Sequence, residues 1–149
     1  MEKPEKKKTL IVNKKARFEY EILDSFEAGI SLVGTEVKSL RQSNANFLDS
    51  YAKIKNEEIF IVNLHISEYK YGNIQNHEPK RMRKLLLKKQ EIRKLESKVL
   101  EKGLTLVPLS FYLKNGKIKL ELGLCRGKKL YDKRETIKQR DIERSMDGY

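Results

Sequence analysis

The chain has 149 residues, enough for one domain with a substantial core, and 33 Lys and Arg against 21 Asp and Glu give a net charge of +12. This clustered excess favours a polyanionic partner, most often nucleic acid, over a protein that is merely kept soluble. No apolar run approaches the roughly 20 residues of a membrane span. No signal peptide is expected, and the single Cys125 excludes a disulfide framework and suits a reducing cytoplasm.

The first half of the chain predicts short strands and one short helix after a flexible start at residues 1–8. A strand is predicted over 9–12, then a polar turn or helical turn at 13–17. Phe18, Tyr20 and Ile22 alternate with charged residues, which predicts a half-buried strand over 17–22. A turn at 27–29 is predicted to lead into a strand over 30–33.

Thr35 is predicted to cap a short helix over 36–41. In that helix Val37 and Leu40 would face inward, whereas the charged side chains would stay outside: Glu36, Lys38 and Arg41.

The second half predicts strands over 51–55 and 58–66, the latter central, followed by a loop over 70–79. From Arg83 onward, apolar residues recur at helical spacing through Leu85, Ile92, Leu95 and Val99, and Gly103 is placed to end that helix.

A long hairpin around Asn115-Gly116 is the strongest local signal, because a tight primed turn needs residues that tolerate positive φ. After the turn, four apolar residues alternate with polar ones and predict one buried and one wet face: Ile118, Leu120, Leu122 and Leu124. Before the turn the parity switches at Val107-Pro108, which predicts a bulge or an edge there.

These elements predict a mainly β fold with helices. Consecutive antiparallel strands with a helix before a final hairpin fit a small closed or nearly closed barrel of about six strands over residues 9–126. One main helix and one or two short helices are expected. Residues 127–149 form a basic C-terminal segment, called the tail below, that is expected to be disordered when free and to fold on a charged partner.

Three cationic clusters make polyanion binding more probable than any single one would. They are residues 6–17, residues 80–94 and residues 126–144, most of which belong to the tail. Catalysis is poorly supported: His65 and His77 are isolated, and Cys125 ends an apolar strand. No residues have metal-ligand spacing, although Glu27, Glu36 and Asp49 could be imagined as the carboxylates of a nuclease.

Six motifs occur together in a specific order. They are Asn13-Lys-Lys-Ala-Arg17, Phe26-Glu-Ala-Gly29, Gly34-Thr-Glu-Val-Lys-Ser-Leu-Arg41, Arg83-Lys-Leu-Leu-Leu87, Leu106-Val-Pro-Leu109 and Gly127-Lys-Lys-Leu-Tyr-Asp-Lys-Arg134. In this order and spacing, over roughly residues 9–145, they closely resemble the bacterial SsrA-binding protein family, small protein B.

The resemblance implies an oligonucleotide-binding (OB) fold with appended helices and a tail unstructured in solution. It implies a non-enzymatic, cytoplasmic adaptor that binds the tRNA-like domain of transfer-messenger RNA (tmRNA), supports its aminoacylation and delivers it to stalled ribosomes. The tail would then enter the empty messenger channel, and the nascent chain would be tagged for proteolysis. No cofactor, metal or membrane partner is implied, and a monomer is expected.

The motifs also carry over candidate site residues. Asn13, Glu27 and Leu86 match positions that the family uses for the RNA. Glu27 would accept from base or ribose donors, or orient a neighbouring Lys or Arg, rather than contact phosphate. From charge and motif placement, phosphate contacts are expected from Lys14, Lys15, Arg17, Lys38, Arg41, Arg83 and Lys84.

In the tail, the family's decoding-centre motif is matched by Gly127, Lys128, Lys129, Asp132, Lys133 and Arg134, with Lys138 and Arg140 following. Tyr131 stands where many relatives have histidine, and either ring can stack on a base. The chain stops at Asp147-Gly148-Tyr149, several residues earlier than many relatives. Two rivals stay open: an ordinary basic ribosomal or single-strand-binding barrel protein, and a carboxylate-dependent nuclease.

Overall fold

The computed structural model describes residues 7–72 and 76–127, which form nine strands and three helices. In chain order they are β1 (Lys7–Val12), α1 (Lys14–Glu19), β2 (Glu21–Ile30), α2 (Gly34–Arg41), β3 (Ala45–Asn46), β4 (Tyr51–Lys55), β5 (Glu58–Val62), β6 (His65–Ile66), β7 (Arg83–Leu86), α3 (Lys89–Lys102), β8 (Thr105–Lys114) and β9 (Lys117–Arg126). The expectations for residues 1–6 and for residues 128–149 lie outside the described residues.

Six strands close into an antiparallel ring in the order β8-β4-β5-β7-β2-β9, with β9 pairing back onto β8. β1 adds to β8 outside the ring, and β3 pairs with β6 in a separate small sheet. This arrangement confirms the predicted closed β fold of about six strands with one main helix, α3, and two short helices. β5 lies between β4 and β7, as expected of a central strand.

The main core fills the ring with inward side chains from most of its strands, among them Ile59, Ile61, Phe111, Leu120 and Leu122. α3 adds its buried Ile92 and Leu95 to this core. None of the helices in the described ranges is long and apolar enough to span a membrane.

A second, smaller core lies between α1 and the distal part of the β8–β9 hairpin and contains Ala16, Val107, Leu109 and Cys125. Because of this cluster, Gly123 and Cys125 are buried although they lie on the face of β9 that alternation predicts to be wet. The prediction of one wet face therefore holds near the turn and is wrong at the far end of the strand.

The hairpin itself is confirmed. Lys114 pairs with Lys117 around Asn115 at φ 52° and Gly116 at φ 80°, both in the left-handed region that the tight turn requires. The β8–β9 register shifts between Pro108 and Ser110, next to the position where the change of parity predicts a bulge.

The predicted strand over 17–22 is wrong at its start, because residues 14–19 form α1. The Asn13 side chain accepts from the Ala16 N–H at 3.1 Å and donates to the Pro108 carbonyl at 2.7 Å, so it caps the helix and fastens it to β8. Ala16 is thereby buried, whereas Phe18 is 65% exposed. Packing against the second core outweighs the local alternation. Lys7 and Lys8, expected to be flexible, belong to β1.

The predicted turn at 27–29 and strand over 30–33 are also wrong, because β2 runs from Glu21 to Ile30 and pairs with β9 as far as Ala28 and with β7 at Gly29 and Ile30. A Cβ on Gly29 would lie 3.3 Å from Leu86 Cβ, so glycine here allows the close approach of β7 rather than a turn.

α2 begins at Gly34 rather than after a Thr35 cap. The Glu36 carboxylate accepts from the Val33 N–H at 2.9 Å, while the Thr35 hydroxyl is hydrogen bonded to His77. Glu36, expected outside, is fully buried.

Two other boundaries differ from the prediction. The strand over 58–66 is divided into β5 and β6 by Asn63 at φ 63°. Residues from Arg83 to Leu86 form strand β7 rather than the start of the helix, which begins at Lys89. Gly103 ends α3 in the left-handed conformation, as predicted.

Candidate nucleic-acid interface

Glu27 lies on β2, where it is paired with Glu121 of the neighbouring strand β9. Its carboxylate accepts from the Tyr112 O–H at 2.6 Å and from the Lys114 ammonium at 3.2 and 3.3 Å. The hydrogen bond from Tyr112, with Lys114 and the charge of Lys119, lowers the pKa of Glu27 despite the opposing effect of partial burial. Of the two roles expected for Glu27, the orientation of a neighbouring lysine is thus present in the geometry.

Beside Glu27, a cavity of about 460 Å³ brings further predicted residues together. Lys84 and Leu86 line it from β7, Glu27 and Gly29 from β2, and Lys119 from β9. Leu86 is 55% exposed, so its side chain faces the solvent and is not part of the core. The Lys84 ammonium lies 2.5 Å from the Glu58 carboxylate, and both side chains are nearly half exposed. The same concave surface is also lined by charged residues of both signs: Lys88, Lys89, Glu57, Glu58 and Glu91.

α1 borders a second cavity of about 490 Å³, which Asn13, Lys14 and Lys15 line. Asn13 is buried by its bonds to Ala16 and Pro108, so it acts as a structural anchor, whereas Lys14 and Lys15 are exposed. The structure thus does not bring Asn13 and Glu27 into one cavity.

Arg17 connects the two regions. Its guanidinium lies 3.6 Å from the carboxylate of Glu121, which is paired with Glu27 across the β2–β9 ladder. Of the α1 cations, Arg17 therefore reaches the sheet at β9.

α2 carries Lys38 and Arg41 on its exposed side. The Lys38 ammonium lies 5.3 Å from the centroid of the Tyr69 ring, a cation–π contact that adds an aromatic surface to this cationic site.

Arg83 corrects the sequence prediction. It was expected to contact phosphate, but it is fully buried, donates from Nε to Glu36 at 2.5 Å and donates to the Leu64 carbonyl at 2.7 Å. Burial alone would raise the pKa of Glu36, but hydrogen bonds from Arg81 and Val33 and the charge of Arg83 lower it below its ordinary value. Arg83 therefore joins β7 to α2 and is not a surface cation.

Sequence reasoning missed Tyr112, Lys114 and Lys119 as members of this site. The alternation of β9 had placed Lys119 on the wet face, which is the signal that could have found it. Nothing local links Glu27 to Tyr112, which lies 85 residues further along the chain.

Of the predicted tail residues only Gly127 is described, and the others lie outside the described residues: Lys128, Lys129, Tyr131, Asp132, Lys133, Arg134, Lys138 and Arg140. Within residues 7–72 and 76–127, no group of three or more His, Cys, Asp or Glu could hold a metal ion. Glu36, one of the three carboxylates considered for a nuclease site, accepts hydrogen bonds from Arg81 and Arg83.

Comparisons with known proteins agree over nearly the whole chain. The family model "SmpB protein" matches residues 10–148. The SsrA-binding protein of Alkaliphilus oremlandii is 57% identical over 140 residues, which are 94% of this chain and 90% of that protein. That of Treponema denticola is 55% identical over 139 residues, 93% of this chain and 90% of that protein. A solved chain from "tmRNA-SmpB: a journey to the center of the bacterial ribosome" is 47% identical with a TM-score of 0.71, and the match covers 93% of this chain and 98% of that one.

Proposed function

Because the chain belongs to the SmpB family of SsrA-binding proteins, we propose that it is the tmRNA-binding adaptor of trans-translation. It binds the tRNA-like domain of tmRNA, promotes delivery of that RNA to stalled ribosomes and leads to tagging of the nascent chain for proteolysis. The match of residues 10–148 to the family model carries this proposal, since it spans both the closed ring and nearly all of the tail.

RNA binding is assigned to the body, residues 9–126. Lys14, Lys15 and Arg17 of α1, Lys38 and Arg41 of α2, and Lys84 of β7 would neutralise phosphates. Exposed Leu86 would make an apolar contact with a base or ribose in the cavity beside Glu27. The exposure of these side chains on the described surface supports this assignment.

Ribosome sensing is assigned to the tail. In the empty messenger channel, its Lys and Arg residues would neutralise ribosomal RNA phosphates, and Tyr131 would stack on a base. The adaptor acts in the cytoplasm, where the ribosomes are, and it works by binding two RNAs rather than by catalysing a reaction.

Separate variants of body and tail test this division. Lys84→Glu places a negative charge where a phosphate would bind, so it should weaken binding to the tRNA-like domain of tmRNA. Asp132→Ala combined with Lys133→Ala should leave that affinity intact and abolish tagging in a reconstituted translation assay. Lys102→Glu, the same charge reversal at the exposed end of α3, is the matched control and should change neither readout.

Loss of RNA affinity in the tail double variant as severe as in Lys84→Glu would contradict the division of labour. A gel-shift competition at fixed salt tests RNA choice, because the adaptor should prefer folded tRNA-like RNA to oligo(dT). Equal competition by the two would favour an ordinary basic single-strand-binding protein, and Mg²⁺-dependent cleavage of the RNA would favour a nuclease.

A further inference from the structure

Three lysines stand in one row across three neighbouring strands. Lys7 of β1 pairs directly with Lys114 of β8, and Lys114 pairs directly with Lys117 of β9. Like charges directly opposite each other in an antiparallel sheet are destabilising, and the Glu27 carboxylate, 3.2 Å from the Lys114 ammonium, is one negative charge beside three positive ones. We call Lys7, Lys114 and Lys117 the lysine row.

Tyr112 is linked to two members of the row, to Lys7 through its ring and to Lys114 through its hydroxyl and Glu27. The Lys7 ammonium lies 4.2 Å from the centroid of the Tyr112 ring, which is within the range of a cation–π contact. The phenol O–H donates to Glu27 at 2.6 Å, and the same carboxylate accepts from Lys114. One aromatic side chain therefore holds Lys7 directly and Lys114 through Glu27.

We propose that the lysine row is a binding site for the phosphodiester backbone of RNA, with Tyr112 as the residue that positions Lys7 and Lys114. The inference rests on the proposed function and deepens it, because it adds a phosphate site that none of the family motifs contains. Phosphates neutralise the mutual repulsion of the three ammonium groups, and the counterions they release add to the affinity.

The proposed site also explains why the carboxylate of Glu27 is present on an RNA-binding surface. A carboxylate facing phosphate would repel it, but the oxygens of Glu27 are engaged by Tyr112 and Lys114. Burial and the Glu27 carboxylate raise the pKa of Tyr112, so the phenol remains a hydrogen-bond donor at neutral pH. Glu27 thus acts on RNA through Lys114.

The competing explanation is that Tyr112 and Glu27 only fasten β8 to β2 across β9. Such a structural bond would affect stability and leave the number of phosphate contacts unchanged. The salt dependence of RNA affinity separates the two explanations, because it counts the phosphates that the protein neutralises.

The experiment measures binding of the full chain to the tRNA-like domain of tmRNA between about 50 and 200 mM salt. Each phosphate contact contributes about 0.9 to the slope of log affinity against log salt concentration. Loss of one contact should therefore make the fall in affinity over this interval about 3.5-fold smaller. Lys114→Ala and Lys117→Ala should each show this change, whereas Lys53→Ala, an exposed lysine of β4, is the matched control and should not.

Tyr112→Phe should weaken binding and reduce the salt dependence, and adding it to Lys114→Ala should have less effect than the sum of the two single changes. Lys114→Arg, which keeps the positive charge that Lys114→Ala removes, should have the affinity and the salt dependence of the wild type. A Tyr112→Phe protein with a lower melting temperature but unchanged salt dependence would overturn the positioning role.

Unchanged salt dependence in both Lys114→Ala and Lys117→Ala would overturn the lysine row as a phosphate site. Wild-type protein in the same titration also reports on the proposed function through its preference for the tRNA-like RNA over oligo(dT). A wild-type preference together with unaffected lysine variants would overturn the lysine row alone, whereas loss of the preference would overturn the proposed function.

Discussion

Removal of the Glu36 charge is the sharpest test of the fold. Glu36 is fully buried and accepts hydrogen bonds from Arg83 at 2.5 Å, from Arg81 at 2.6 Å and from the Val33 N–H at 2.9 Å. In Glu36→Gln, the buried guanidinium of Arg83 would lose its countercharge, and the new amide group would present N–H donors to it.

The expected cost follows from the burial of both partners. Breaking a buried ion pair by removing one member costs about 3–5 kcal/mol, because the remaining charge is desolvated without compensation. For a chain of this size that corresponds to a fall in melting temperature of about 6–20 °C. The exposed Lys84–Glu58 pair provides the matched control, since Glu58→Gln should cost about 0–1 kcal/mol.

Urea unfolding and calorimetry of the two variants beside the wild type would measure these differences. Arg81→Ala removes a partner whose side chain is one-third exposed and leaves the Arg83 contact in place, so its cost should fall between the other two. A Glu36→Gln cost no larger than that of Glu58→Gln would refute the argument that the carboxylate compensates a buried charge.

Three further outcomes are expected. Gly123→Ala would place a Cβ 2.7 Å from Leu109 Cδ1, so it should destabilise the chain by about 1–3 kcal/mol in urea unfolding. Burial raises the pKa of Cys125 to about 11, so a thiol reagent at pH 8 should modify it slowly until denaturant is added; rapid modification of the native protein would contradict the second core. Glu27 and Glu36 have pKa values below 4.5 when folded, so the stability they add is present above that pH and lost as pH falls through the lowered values. Unfolding free energies from pH 7 to pH 3 should decline accordingly, and Glu27→Gln should make that decline shallower.

Several features followed from short stretches of sequence because their causes are local. Asn115-Gly116 needs only its own tolerance of positive φ to form the turn, and Gly103 ends α3 for the same reason. Alternation in β9 marks its inward face because side chains of a strand point to opposite sides in turn. The positive charge and the ordered motifs pointed to an RNA partner before any contact was known.

Predictions from the local sequence pattern were wrong where contacts with residues far along the chain determine the backbone conformation. Residues 17–22 alternate like a strand, yet the hydrogen bond of Asn13 to Pro108 and the burial of Ala16 make the first of them helical. Gly29 has the composition of a turn, but pairing with Leu86 keeps it in β2. Both outcomes depend on which strands meet, and that information is spread over the whole chain.

The charged residues divide in the same way. Sequence alone shows that Glu27, Glu36, Arg83 and Lys114 are ionisable, and ionisable side chains are rarely buried unless they are paired. Closure of the ring brings Arg83 onto Glu36 across 47 residues and Lys114 beside Glu27 across 87. One pair is thereby buried as part of the framework and the other is left on the surface, because the cost of desolvating a charge depends on its neighbours in space.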